Sequence, residues 1–257
     1  MTMFRKTTAT SVAAFFLAFL TLLSSMPAAA SANLGITPLN LILPAANLAT
    51  SLEVTNNGDK AATLQADLFT WQLQNSKDVL TPTRELFVSP PIFKIAPGQK
   101  QIVRVGRLKP SVAGATDVTY RMFLTEVAPD VQARQNIVAT VLRLNIPIFV
   151  PAAKPVAAAL NWKAAHGSGD QLTLVAENPT NAALKIVNLT LLQNGEVVAS
   201  QDVLLYVLNH SAREYVWNNA LKLAKPGRPV ELVARIERRR KTLSQILDVG
   251  AVSVVPQ

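Results

Sequence analysis

The chain has 257 residues, of which 49% are apolar, 16% charged and 6% aromatic, and it contains no cysteine. Lys and Arg outnumber Asp and Glu by 25 to 16, a net charge of +9. A disulfide framework, an iron–sulfur cluster and a cysteine-based zinc site are therefore excluded. Two histidines, His166 and His210, leave little for a histidine-based metal or catalytic centre. The apolar content can offset chain entropy, so disorder is not expected, and the length suits one large or two medium domains.

The N-terminus reads as a secretory signal peptide. Arg5 and Lys6 form a positive leader, and Val12 to Leu23 is apolar throughout apart from Thr21. Pro27 and the small residues Ala28-Ala29-Ala30-Ser31-Ala32 follow, placing the cut after Ala32. The apolar run of 12 residues falls short of the roughly 20 that span a membrane. Removing 32 residues, two of them basic, from 257 leaves 225 with a net charge of +7. The processed chain is expected to be exported, soluble and not membrane-inserted.

From position 33 onward the pattern is that of strands. Leu34 to Leu43 stops at Pro44, and Leu48 to Val54 ends in the turn Thr55-Asn56-Asn57-Gly58-Asp59. Ala62 to Leu73 leads to the polar turn 74–78. Phe87 to Ile95 contains Pro90-Pro91, which marks an edge or a bend between sheets, because proline cannot donate to a ladder. Gln101 to Leu108, Val118 to Val127 and Ile137 to Val150 complete the first set. About seven strands with turns every 8–12 residues are the signature of an immunoglobulin-like sandwich.

Pro151-Ala152-Ala153-Lys154-Pro155 is the expected linker, dividing a domain 33–151 from a second, 152–257. Beyond it, strands are expected at 172–176, 184–192, 197–208, 214–217, 230–236 and 246–255, with Asn194-Gly195 as a two-residue hairpin turn. The fold class is all-β, with two tandem immunoglobulin-like sandwiches.

Catalytic motifs are missing. No G-x-S-x-G, H-E-x-x-H, P-loop or G-x-G-x-x-G occurs. His166-Gly167-Ser168-Gly169-Asp170 is a loop rather than a triad, and the acids Asp117 and Glu126 are a weak glycosidase pair in a chain so poor in aromatic residues. No enzyme, cofactor or metal is expected. The run Arg238-Arg239-Arg240-Lys241 carries no interleaved aromatic residues, so it reads as a solvated hairpin tip rather than a nucleic-acid surface.

One strand departs from the rule. Between Ile137 and Val150 the even positions, Val138, Thr140, Leu142, Leu144, Ile146, Ile148 and Val150, make a nearly complete core face. The odd positions begin Ile137, Ala139, Val141 and turn polar only at Arg143 and Asn145. A half-wet strand should alternate cleanly. An apolar stripe on the second face, if uncovered, belongs to another chain, since an idle apolar edge is an aggregation hazard.

Several segments carry a family resemblance. They are Leu52-Glu53-Val54-Thr55-Asn56, Ser89-Pro90-Pro91-Ile92-Phe93, and the run from Ile95 through Pro97-Gly98 and Gln101 to Arg104-Val105. Tyr120 to Val127 and Leu144-Asn145-Ile146-Pro147-Ile148-Phe149-Val150-Pro151 add to them. With the signal peptide, these segments resemble the periplasmic pilus-assembly chaperones of the PapD-like superfamily, in their archaic, Csu-like branch. The likeness covers 34–151; beyond it only a generic sandwich pattern matches. It implies a periplasmic chaperone that donates a strand to unfinished pilus (fimbrial) subunits and passes them to an outer-membrane usher without ATP. The donor residues it implies are Ile137, Ala139 and Val141, the odd positions already singled out, with a possible extension through Val131.

The resemblance also carries departures. Other members anchor the subunit's terminal carboxylate with an Arg on the first strand and a Lys on the last; Asn40 and Ile146 stand there in this chain. The anchor candidates are Arg84, Arg143, Arg104 and Arg121, the first two favoured, since a guanidinium grips a carboxylate through two bonds. Glu126 matches the family's interdomain acid, but Val150 replaces its basic partner. The rival readings are a secreted pilus subunit or adhesin, and an enzyme or carbohydrate-binding module.

Overall fold

The computed structural model describes residues 33–108, 114–127, 141–225, 228–238 and 241–247. Ten strands form the first unit: β1 (Leu34–Thr37), β2 (Leu41–Ile42), β3 (Ala49–Asn56), β4 (Ala62–Gln74), β5 (Lys77–Pro82), β6 (Leu86–Ser89), β7 (Ile92–Ile95), β8 (Lys100–Arg107), β9 (Val118–Glu126) and β10 (Arg143–Val150). They make two facing sheets, β1-β3-β8-β6 and β2-β10-β9-β4-β5, with β7 also paired to β4. Seven more follow: β11 (Asn161–His166), β12 (Leu172–Asn178), β13 (Leu184–Gln193), β14 (Glu196–Val207), β15 (Ser211–Trp217), β16 (Glu231–Arg238) and β17 (Lys241–Leu247). These form the sheets β11-β12-β15 and β14-β13-β16-β17. The molecule is all-β, two sandwiches in tandem.

Alternation explains each core. In β3 and β8, Leu52, Val54, Val103 and Val105 point inward against Leu64, Met122, Leu124 and Ile148 of the other sheet. In the second sandwich Leu172, Leu174 and Ala176 of β12 face Leu184, Ile186, Leu189 and Leu191 of β13. Burying such side chains is the main favourable term, about 1.5–3 kcal/mol each.

The structure amends several expected strand bounds. The 34–43 run is two strands in different sheets, parted at Pro38, and the 87–95 run crosses between sheets at Pro90; both prolines follow cis bonds. The polar turn after β4 is only Asn75-Ser76, with φ of 48° and 62°, the geometry that lets two residues close a hairpin. The chain then returns as β5, paired from Lys77 to Pro82 with Phe69 to Gln74. Strand β11 had no clean alternation to betray it and is held by β12 alone. The last described strand runs at 241–247, earlier than the expected 246–255, whose remainder lies outside the described residues. Asn194 and Gly195 do form the β13–β14 turn, with φ of 54° and 80°. Arg238 pairs with Lys241 across the β16–β17 turn. The signal-peptide reading, 1–32, also lies outside the described residues.

Each sandwich is pinned by one buried asparagine in an equivalent loop. Asn56 Nδ2 donates to the carbonyls of Lys60 (2.7 Å) and Ile95 (3.0 Å), and its Oδ1 accepts from Gly58 N–H. Asn178 Nδ2 donates to Ala182 (2.8 Å) and Val207 (3.0 Å), and its Oδ1 accepts from Thr180 N–H.

The two sandwiches meet at a built junction. Trp71, Phe149 and Leu208 form a small cluster with Tyr206 packed against it. The Asp117 carboxylate accepts from Ala152 N–H (2.8 Å) on one side and Ala183 N–H (3.0 Å) on the other. Asn181 Nδ2 donates to the carbonyls of Ala115 and Lys154. Arg213 of β15 pairs with Asp78 of β5 at 2.6 Å, and Trp71 Nε1 donates to the same Asp78 oxygen at 2.9 Å. The ionic link between sandwiches is thus Asp78–Arg213. Glu126 instead accepts from Leu142 N–H beside the start of β10.

Two outcomes follow from this packing. Replacing Asn56 or Asn178 with Ala leaves buried carbonyls without donors, and each variant should lose about 2 kcal/mol or more of unfolding free energy in urea. Burial alone would raise the Asp78 carboxyl, but hydrogen bonds from Trp71 and Arg213 and the charges of Arg213 and Arg121 outweigh it and hold the group below its ordinary 3.8. A pKa lowered on folding gives stability that is complete above the unfolded value and is lost as pH falls through the folded one. Unfolding followed from neutral pH to below pH 4 should therefore show an acid loss that is smaller in Asp78→Asn, whose stability starts lower at neutral pH.

Candidate functional site

Among the described residues, strand β10 is paired over its whole length on one side only. Against β9 it is continuous, from Arg143 opposite Thr125 to Val150 opposite Val118. On its other side β2 reaches just Ile148 and Phe149, with one further bond from Leu43 N–H to the Phe149 carbonyl. Among the described residues the outer backbone edge from Arg143 to Pro147 has no strand beside it. Backbone N–H and C=O groups left this way are a template for another chain.

Side-chain parity along this segment follows the alternation of a strand. Ile146, Ile148 and Val150 are buried in the first core, with Leu144 packed against it. Arg143 and Asn145 point outward, and Val141, just before the strand, is 49% exposed. Pro147 and Phe149 also face outward, yet are buried, Phe149 in the junction cluster. Ile137 and Ala139 lie outside the described residues.

The four candidate arginines separate by position. Arg84 is exposed in the bend between β5 and β6, and Arg104 is exposed on β8, in the sheet that does not contain β10. Arg121 and Arg143 are the two beside the open edge. Arg143 lies over the Phe123 ring at 4.0 Å. Arg121 is only 8% exposed; its guanidinium sits 3.5 Å from the Trp71 ring centroid and 5.2 Å from that of Tyr206. Its Nη1 donates to Asn145 Oδ1 at 3.0 Å, and it makes no ion pair among the described residues. Burial pulls its pKa down to about 10, against the charges of Asp78 and Tyr206, so it remains a cation at neutral pH.

Next to the junction lies a cleft cavity of about 110 Å³, to which Asn40, Asp117, Lys185, Tyr206 and Glu237 contribute. Lys185 of β13 pairs with Glu237 of β16 at 2.9 Å. Ile146, by contrast, is a core residue, 2% exposed. Lys185 was not singled out on the sequence, because nothing in a single lysine between Leu184 and Ile186 says which cleft its strand will face. Asp117 and Glu126 lie at opposite ends of β9, and Asp117 is committed to backbone N–H groups, so the two do not form a catalytic pair. His166 ends β11 and His210 occupies a turn with φ of 51°; both are exposed.

An open, partly apolar strand edge flanked by buried and stacked arginines suits a polypeptide laid alongside it. Residues 33–154 match the model of the pili and flagellar-assembly chaperone family, PapD N-terminal domain. Among solved structures, the chain is similar to one in the CsuC–CsuE chaperone–tip adhesion subunit pre-assembly complex from archaic chaperone-usher Csu pili of Acinetobacter baumannii. That match has 20% identity and a TM-score of 0.61, covering 83% of this chain and 97% of the other. The Pseudomonas aeruginosa CupB2 chaperone follows at 16% and 0.58, over 84% and 100% of the two chains. A chain of the Salmonella enterica SafA pilin–SafB chaperone complex matches at 15% and 0.57, over 86% and 99%. No curated protein matches the sequence. The first sandwich, with its one-sided β10, therefore belongs to the pili and flagellar-assembly chaperone family as a PapD-type N-terminal domain.

Proposed function

We propose that the protein is a periplasmic chaperone that captures pilus subunits by donating a strand to them and hands them to an outer-membrane usher. The observation that carries this reading is the unpaired outer edge of β10 in a domain of this family. The CsuC–CsuE and SafA–SafB complexes support it, since each joins a chaperone to a pilus component. On this reading residues 1–32 are an export signal, the domains divide at 151, and the family likeness lies in the archaic branch.

The mechanism needs no nucleotide. A subunit lacking one strand presents a groove whose backbone groups and apolar floor are both unsatisfied. Strand addition at β10 supplies the backbone partners, while Ile137, Ala139 and Val141 enter the groove. Burying a Val or an Ile contributes about 1.5–3 kcal/mol, and the alanine less. The subunit's own folding provides the driving force. Arg121 is the anchor on this reading for the subunit's terminal carboxylate: it is buried, positively charged and held over the Trp71 ring beside Tyr206, and an arriving carboxylate would offset its desolvation.

Co-expression of the processed chain with an archaic-type pilus subunit should yield a soluble one-to-one complex. Ile137→Asp and Val141→Asp should each abolish capture while leaving the urea midpoint of the free chain unchanged; co-purification at parent levels would contradict the donor assignment. Arg121→Gln should weaken retention about ten-fold, the loss of one charged hydrogen-bond pair. A subunit with an amidated C-terminus should show the same loss with the parent chain.

A further inference from the structure

The two outward side chains of the open β10 edge are both fixed from behind by β9. Arg143 places its guanidinium carbon over the Phe123 ring, 4.0 Å from the centroid, and Phe123 is itself braced edge-on by Phe69, with ring centroids 5.5 Å apart at 83°. Stacking uses the face of a guanidinium and leaves its in-plane N–H groups unspent. Arg143 makes no hydrogen bond or ion pair among the described residues, although its side chain is exposed. Asn145 Oδ1 accepts from Arg121 Nη1. A guanidinium only donates, so this bond forces the amide orientation and turns Nδ2 away from Arg121, a donor with no partner among the described residues.

Arg143 and Asn145 are two residues apart on one strand and therefore share a face. A strand added at β10 would place its own alternate residues beside them, with Cβ atoms roughly 4.5–5.5 Å away for a directly opposite pair. Arg143 offers donors only and carries a charge, while Asn145 offers its Nδ2 donors beside an Oδ1 already engaged by Arg121.

We infer that the strand received at β10 carries hydrogen-bond acceptors at the two alternate positions facing Arg143 and Asn145, with a carboxylate (Asp or Glu) opposite Arg143. This rests on the chaperone reading above and adds side-chain selectivity to its backbone pairing. Arg143 is a selectivity residue for a side chain of the incoming strand, distinct from the buried Arg121 over Trp71. Pre-ordering on Phe123 means that little rotamer freedom is lost when the carboxylate arrives. Only a partner with an acid in this register gains the bond; a lysine there would meet a fixed like charge.

The test uses the full processed chain and the co-expressed pilus subunit, with the urea midpoint of each free variant as the folding control. Arg143→Gln should raise the dissociation constant about ten-fold or more and flatten its salt dependence. Arg143→Glu should nearly abolish capture, and a Lys substitution at one Asp or Glu of the subunit's edge strand should restore it. Phe123→Leu keeps the charge but frees the guanidinium, and should cost only a few-fold. If the parent captures the subunit and Arg143→Gln and Arg143→Glu hold it as tightly at every salt concentration, the inference is overturned while the chaperone reading stands. If weakening occurs but no subunit charge swap rescues Arg143→Glu, the carboxylate opposite Arg143 is refuted. A parent chain that captures no subunit would sink the chaperone reading, and this inference with it.

Discussion

A backbone left without a partner is the constraint around which this molecule is arranged. Sheet edges are normally short, charged, bent or covered, because a free row of N–H and C=O groups will take whatever strand arrives. Here β2 is two residues long and covers only the end of β10, so among the described residues no strand covers the edge from Arg143 to Pro147. The opposite side of β10 is locked to β9 over its whole length, and its inward side chains are sunk in the core. One edge of a rigid strand can therefore be offered without loosening the domain that offers it.

The second sandwich gives that edge a setting. Trp71, Phe149, Tyr206 and Leu208 bury the far end of the outward face of the β10–β9–β4 sheet. The near end keeps the Phe69–Phe123 pair, with Arg143 over the Phe123 ring. Arg121 lies where the two zones meet, too buried to be fully hydrated and with no ion pair among the described residues. Asp117, Asn181 and the Asp78–Arg213 pair tie the sandwiches together mostly through backbone groups, which fixes their relative position. The cleft is then a defined wall beside the edge, against which a bound chain can be placed in register.

Much of this was legible in the sequence, and the reason is periodicity. The even-numbered core positions from Leu144 to Val150 and the outward Val141, Arg143 and Asn145 could be read from alternation alone, since side-chain direction in a strand has a period of two. Pro90 announced a change of sheet because it cannot donate. What escaped were features that depend on long-range pairing. Strand β5 was hidden in a polar stretch whose two-residue turn needs positive φ at Asn75 and Ser76, a geometry that neither residue name enforces. The Asp78–Arg213 link joins residues far apart in the chain, and no spacing rule connects them. The settings of Arg121, over Trp71, and of Lys185, paired with Glu237, likewise come from which strands become neighbours, and only the folded junction determines that.

The account stands on one claim: the outer edge of β10 is where another polypeptide adds a strand. Amide hydrogen exchange at residues 141–147, compared in the free chain and in its complex with a pilus subunit, tests it most directly. The account predicts rapid exchange at the outward-facing amides of this stretch in the free chain and strong slowing in the complex. Unchanged exchange there, with slowing confined to other strands in a genuine complex, would contradict it.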